Sequence, residues 1–231
     1  MTVLYAHGTS GSRSVHNRLV TYHLMTERLQ TSVVAFDYRG FADSVGGQPT
    51  AAGIINDTLA VYEWILSEHL STPKEILFWG QSLGTAVVVG ALSQLSEEMT
   101  PLAAVLEAPF TNMREEIWAF PLSRFFNFLP YFEYAFVDPI VNDEKLNFDS
   151  VALLPKVQAP LLVLHSEDDP IIPYHIGKRL YESAKQLQPA KVANKTTFHG
   201  FPPGKEYNHD WICQAPESPH VVAQFITSVL N

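Results

Sequence analysis

Ile76-Leu77-Phe78-Trp79-Gly80-Gln81-Ser82-Leu83-Gly84-Thr85-Ala86-Val87-Val88-Val89-Gly90-Ala91-Leu92 is the stretch on which the fold turns. An apolar run of strand length enters a Gly-x-Ser-x-Gly turn and leaves it as a second apolar run long enough for a buried helix. A serine at such a strand-to-helix turn is forced into strained backbone angles, and only glycine-sized neighbours let strand and helix approach closely enough to hold it there. Its hydroxyl then stands exposed at the head of the helix. Read alone, the five residues Gly80–Gly84 also fit a glycine-rich turn with an incidental serine, so the surroundings must decide.

Working outward, short apolar runs alternate with amphipathic stretches along nearly the whole chain, the pattern of β-α-β units and a parallel sheet. Strands are expected at 2–6, 32–37, 75–79, 102–107, 160–165 and 192–198. Helices are expected at 14–29, 51–69, 83–97 and 174–187, with a last one after Ser218-Pro219, an N-cap followed by proline at the first helical position. The alternation breaks at 111–148. That segment holds Trp118, Phe120, Phe125, Phe126, Phe128, Tyr131, Phe132, Tyr134, Phe136 and Phe148, punctuated by Pro121, Pro130 and Pro139. It reads either as an insertion whose aromatics line an apolar pocket or as an ordinary helical layer of the core. It is not a membrane span, because Arg124, Glu133 and the prolines interrupt it.

The 231 residues suit one large α/β domain, 1–231, with a core that needs no disulfide or metal. Neither an internal repeat nor a low-complexity linker divides them. The single cysteine, Cys213, forms no internal disulfide, and no Cys/His cluster has zinc spacing. With 24 acidic against 15 basic residues, the net charge of −9 disfavours nucleic acid as a partner and favours solubility. The chain opens with no signal segment, and no apolar run approaches the roughly 18 residues that span a bilayer, so a soluble protein is expected. The start is unusual, because Thr2–Ala6 reads as a buried strand directly after Met1, as if something preceded it.

A serine hydroxyl becomes a good nucleophile only when a histidine accepts its proton and a carboxylate holds that histidine in the right tautomer. In a parallel sheet with this elbow, acid and base follow the serine in that order, each in a loop at the carboxyl end of a strand. The strand 160–165 runs into Ser166-Glu167-Asp168-Asp169-Pro170-Ile171-Ile172-Pro173. Asp169 is the chosen acid, pinned by the stiff apolar stretch behind it, with Asp168 as runner-up. Of the nine histidines, seven have structural readings in a glycine turn, on helices or in a strand. His199 and His209 remain in the loop before the last helix. His209 is preferred because its Gly/Pro loop can reach back over the sheet, and His199 is held in reserve. The developing oxyanion needs donors, expected from the main-chain amides of Leu83 and of Thr9 in His7-Gly8-Thr9-Ser10-Gly11. That loop lacks the spacing of a P-loop or a dinucleotide site.

These residues together resemble the lysophosphatidylserine and monoacylglycerol lipase branch of the α/β-hydrolase superfamily. The matching stretches are His7-Gly8 with Gly11, Asp37-Tyr38-Arg39-Gly40 with Asp43-Ser44-Val45-Gly46, Gly80–Thr85, and Glu107-Ala108-Pro109-Phe110-Thr111-Asn112. Further on, His165–Pro170, Tyr207-Asn208-His209 and Ala215-Pro216-Glu217 carry the likeness over practically the whole chain. The resemblance implies an α/β-hydrolase fold, a mainly parallel sheet flanked by helices with 111–148 as a cap. It implies the triad Ser82, Asp169 and His209, no cofactor, and a small acyl-glycerol or lysophospholipid substrate, with peripheral contact to a membrane surface. Two departures stand out. Ala42 replaces a usual glycine in a loop read as structural, a change expected to cost little. The family also carries strands and a membrane anchor before its His-Gly loop. The N-terminal edge strands are therefore expected to be absent here, leaving a strand edge and an apolar face open to association. For any longer, anchored form the resemblance implies the endoplasmic reticulum membrane. A serine peptidase of the same fold and a catalytically silent binding or scaffold member are the competing readings. Arg13, Arg18, Arg114 and Lys205 are candidates to face an anionic head group, each also readable as a solvated surface charge. Acyl length, head group and oligomeric state are not encoded legibly.

Overall fold

A computed structural model describes residues 1–231, apart from the side chain of Arg124. Six strands, β1 (Thr2–Ala6), β2 (Ser32–Ala35), β3 (Ile76–Gln81), β4 (Ala103–Glu107), β5 (Leu161–Ser166) and β6 (Thr197–Phe201), form one sheet in the order β2-β1-β3-β4-β5-β6. All pairs are parallel. Such a sheet must be covered on both faces, and its strands alternate sides with period two. Leu4, Ile76, Phe78, Leu106 and Val163 face one layer with α2 (Ala51–Ser67), α3 (Leu83–Leu92) and α7 (Tyr174–Leu187). Val3, Leu77, Trp79, Val105 and Leu162 face the other with α1 (His16–His23) and α9 (Ser218–Leu230). The α3 helix is buried from Gly84 to Leu92, which explains an apolar sequence without a polar stripe.

Three expectations shift. The helix expected over 14–29 is α1 continued by a π-helical turn, Leu24–Arg28, and the one expected over 83–97 stops at Leu92. The strand expected at 192–198 lies at 197–201 instead. Val192 and Ala193 bury themselves from a short helix, α8 (Ala190–Ala193), capped by Pro189, and only then does the chain extend. Consequently His199 sits within β6, its ring 4.8 Å from that of Phe201, and not in the loop where a reserve base was expected.

Residues 111–148 leave and rejoin the sheet's helical layer at one point, where Asn112 bridges Asp149 and the Met113 amide donates to the Phe148 carbonyl at 3.0 Å. The segment contains α4 (Met113–Ala119), a 3-10 turn (Pro121–Phe125), a π-helical turn (Glu133–Val137) and α5 (Asp138–Val141); α6 (Ser150–Leu153) follows. Of its ten named aromatics only Phe132 and Phe148 are buried. Phe125, Phe128, Tyr131 and Tyr134 are each 70% exposed or more. Neither pocket lining nor core layer describes most of them: they face outward.

The elbow is where sequence and packing meet most tightly. Ser82 has φ 53° and ψ −120°, a conformation that costs an L-residue on the order of 1–3 kcal/mol. A Cβ on Gly84 would overlap the Ala6 carbonyl of β1, and one on Gly80 would overlap the Gly84 backbone. At this turn strand β1, strand β3 and helix α3 therefore meet backbone to backbone. Ala42 also sits in the left-handed region, at φ 46°. An alanine rather than a glycine there costs on the order of 1 kcal/mol, where little cost was expected. Replacing Gly84 with alanine should force α3 away from β1 and lower unfolding free energy by roughly 3 kcal/mol, measured as a drop in urea midpoint at unchanged slope.

Candidate active site

The carboxyl ends of β1, β3, β5 and β6 deliver the four loops named from the sequence to one end of the sheet. The Ser82 amide donates to the Glu107 carbonyl at 2.9 Å, which ties the elbow to the end of β4. Leu83 opens α3, where its N–H lacks an intrahelical acceptor and is free for an external anion. Thr9, Ser82 and Leu83 line one cavity of about 330 Å³. Gly8 is pressed against this turn: a Cβ there would lie 2.6 Å from Gln81 Oε1 and 3.2 Å from Ser82 Cβ.

The loop carrying Thr9 is held from behind. Arg18 is buried, and its guanidinium donates to the carbonyls of Gly8 at 3.1 Å, of Ser10 at 2.6 Å and of Ser12. Because these carbonyls are bound on that side, the loop is braced in one arrangement. Tyr38 Oη donates to the His7 carbonyl at 2.9 Å, and Asp37 accepts from the Arg13 amide at 2.6 Å and from its guanidinium. Arg18 is thus no head-group cation. Arg13 pairs with Asp37 and Asp43, and Arg114 with Glu133 and Asp138. Burial lowers the His7 pKa to about 4, so this imidazole is a neutral packing group.

Asp169 and His209 meet as expected. His209 Nδ1 lies 2.7 Å from Asp169 Oδ2, which fixes the proton on Nδ1 and leaves Nε2 as the acceptor. Asp169 Oδ1 accepts from the amides of Ile171 and Ile172 at 2.8 and 2.9 Å. Burial alone would raise the Asp169 pKa, but hydrogen bonds from His165 and His209 outweigh it and hold the carboxyl well below the ordinary range. For His209, burial pulls downward, while the hydrogen bond and charge of Asp169, with Asp210 and Glu107, prevail and hold its pKa above the usual 6.5. Asp168, the runner-up acid, has another task. It accepts from Ser166 Oγ and from the amides of Gly204 and Asn208, so it ties down the loop that carries His209.

Sequence reasoning passed over the link between the two halves. Gln81, beside Ser82, donates from Nε2 to Asp210 Oδ1 at 2.9 Å, and Asn17 donates to the same oxygen at 3.1 Å. Serine loop and histidine loop are thereby fastened through their neighbours. Among the described residues no hydrogen bond joins Ser82 Oγ to the His209 ring; in unliganded sites such contacts tighten only around substrate. Glu107 was also missed as a site residue. It is buried, accepts from Trp79 Nε1 at 2.9 Å, and burial pushes its pKa up to about 7. His165 was read as a strand end, yet its Nε2 lies 2.8 Å from the Ile172 carbonyl and 3.4 Å from Asp169 Oδ2. A glutamate closing one apolar strand and a histidine closing another were the available signals. Among the described residues no group of three or more His, Cys, Asp or Glu could hold a metal ion.

A parallel sheet of this order, with a strained serine after β3 and an Asp–His pair beyond β5 and β6, defines the α/β-hydrolase class of fold. The family profile described as alpha/beta hydrolase matches residues 3–224, and the chain belongs to that family. Among its relatives, the lysophosphatidylserine lipase ABHD12 of Rattus norvegicus is 37% identical over 225 residues, 97% of this chain and 55% of that protein. Protein ABHD12B of Homo sapiens is 35% identical over 226 residues, 97% of this chain and 60% of its own length. The chain therefore spans little more than half of the relatives it matches. Of solved structures, the Pyrococcus furiosus esterase Pf2001 superposes with a TM-score of 0.74 at 20% identity, covering 100% of this chain and 82% of that one. Ferulic-acid-bound Est1E from Butyrivibrio proteoclasticus gives 0.65 at 16% identity, covering 99% and 88%.

Neutral His209 is the form that can accept a proton. Activity on a soluble ester should therefore fall about tenfold per pH unit on the acid side of a pKa above 6.5. Asp210→Asn keeps the acceptor for Gln81 and removes a charge that raises this pKa, so the acid limb should move to lower pH. A stopped series of rates from pH 5 to 9 checks both.

Proposed function

We propose that residues 1–231 act as one hydrolase domain, capped by 111–148, that cleaves fatty acyl esters of monoacylglycerols or lysophospholipids such as lysophosphatidylserine. Ser82 Oγ attacks the ester carbonyl carbon while its proton passes to His209 Nε2, and the new oxyanion lies between the amides of Thr9 and Leu83. Collapse expels the alcohol, which takes the proton back from His209. Water, deprotonated by the same ring, then releases the fatty acid and restores the serine.

The observation that carries this reading is the cavity at Ser82. Phe41, Ile54, Phe110, Met113, Ile140 and Phe148 give it an apolar wall, and its volume of about 330 Å³ suits one small apolar ligand. An acyl chain is matched by such a wall; a peptide would need backbone hydrogen-bonding partners. The names of the lysophosphatidylserine lipase relatives point the same way. Asp169 and His209 supply the acid and base, with Asp169 kept ionised to stabilise the imidazolium.

The outward aromatics of the cap suit contact with a lipid surface. Phe125, Phe128, Tyr131 and Tyr134 are the most exposed aromatics of a segment in which eight of the ten named aromatics are exposed. Aromatic rings of this kind favour the headgroup level of a bilayer. No helix among the described residues is long and apolar enough to cross one.

One panel tests substrate and surface together. The protein should hydrolyse long-chain monoacylglycerol or lysophosphatidylserine in vesicles, and a soluble short-chain ester in solution. Ser82→Ala should lower both rates by about 10⁴-fold or more. Phe125→Ser combined with Phe128→Ser should lower only the vesicle rate. Peptide or aminoacyl-amide turnover without ester turnover would favour a peptidase instead.

A further inference from the structure

Helix α4 has three consecutive charged residues, and two of them are paired. Arg114 faces Glu133 and Asp138, and Glu115 takes hydrogen bonds from Arg179 and Thr111. Glu116 has neither an ion pair nor a side-chain hydrogen bond among the described residues. It lies three positions after Met113, on the same helical face, and both residues line the cavity that contains Ser82, Thr9 and Leu83. A mainly apolar cavity, with Lys145 as its one cation among the described residues, thus holds one unpartnered carboxyl together with the expected nucleophile.

An unpaired carboxyl in apolar surroundings is costly unless a ligand completes its hydrogen bonds. Burial raises the Glu116 pKa, and the nearby His209 partly opposes the rise. In a cavity of about 330 Å³ that also holds the proposed place of the ester carbonyl, at Ser82, Thr9 and Leu83, the ligand group that completes the carboxyl's hydrogen bonds lies close to the ester. A phosphate is a poor candidate at Glu116, since a carboxylate repels it, and Lys145 is the residue of this cavity suited to meet one. A hydroxyl on the carbon next to the esterified one fits, and it is the feature shared by monoacylglycerols and lysophospholipids and lost from their diacyl counterparts.

We propose that Glu116 is a specificity-determining residue that accepts a hydrogen bond from the free hydroxyl adjacent to the ester in 1-acyl-2-hydroxy lipids. This assignment rests on the ester-hydrolase reading of Ser82. It means that the site selects its substrate by a hydroxyl group as well as by an acyl chain. A site built around such a contact discriminates strongly against a substrate lacking it, because the buried polar group is then left alone.

The test compares kcat/KM for three esters of one fatty acid: the 1-monoacylglycerol, the 1-acyl lysophosphatidylserine and the propyl ester, which has no hydroxyl. The readout is the ratio of each hydroxyl-bearing ester to the propyl ester, in wild type, Glu116→Leu and the near-isosteric Glu116→Gln. In wild type both ratios should exceed one. In E116L both should fall roughly tenfold, the loss expected for one buried hydrogen bond. E116Q retains an acceptor oxygen and should stay within about threefold of wild type. A fall in only one of the two ratios would assign the contact to that lipid's head group, and ratios unchanged in E116L would overturn the assignment outright. If wild type cleaves the propyl ester but shows no preference for the hydroxyl, the hydrolase reading stands and the role of Glu116 falls. If wild type cleaves none of the three, the hydrolase reading falls and takes this assignment with it.

Discussion

The contact on which everything else depends is between backbones: Gly84 of α3 against the Ala6 carbonyl of β1, with Gly80 against Gly84 across the turn. No side chain fits between them, so α3 is drawn onto the sheet and Ser82 is left at φ 53°. A free tetrapeptide would relax out of this conformation. Here the Ser82 amide is bound by the Glu107 carbonyl, and its own carbonyl accepts from the amide and hydroxyl of Thr85 at 2.9 and 2.7 Å. The strain is thus opposed from both sides of the residue. Its product is a serine that lines a mainly apolar cavity together with Leu83 at a helix start and Thr9 of a braced loop.

A second constraint is electrostatic. Four carboxylates, those of Glu107, Glu116, Asp169 and Asp210, act on or near one imidazole. Burial opposes the charge of Glu107, Glu116 and Asp169, and of these three Asp169 has enough donors to resist: two amides and two histidines. It stays ionised where Glu107 and Glu116 are pushed toward neutrality. The environment therefore sets Asp169, the anion hydrogen-bonded to His209, apart from Glu107 and Glu116, as expected where titratable groups crowd a cleft.

Much of this was legible because it is local. The elbow and the strand-then-loop position of Asp169 are each written within a short window, and the alternation that yields a parallel sheet is the sum of such local patterns. What escaped was set by packing between distant segments. Arg18 looked like surface charge because nothing near it reveals that three carbonyls of the 8–12 loop turn toward it. The Gln81–Asp210 hydrogen bond joins residues 129 positions apart. The last strand was misplaced because Val192 and Ala193 are as apolar as strand residues, and only Pro189 hinted at a helix. The aromatics of 111–148 were expected to face inward by the ordinary rule of burial, and nothing within that segment of sequence signals that most of them are exposed.

The most direct test of the central claim, that the strained Ser82 is a nucleophile served by His209 and Asp169, is covalent labelling with a fluorophosphonate followed by peptide mass mapping. A single adduct on Ser82, absent from Ser82→Ala and formed orders of magnitude more slowly in His209→Ala, is the predicted result. Equal labelling of wild type and Ser82→Ala, or an adduct on another residue alone, would contradict it.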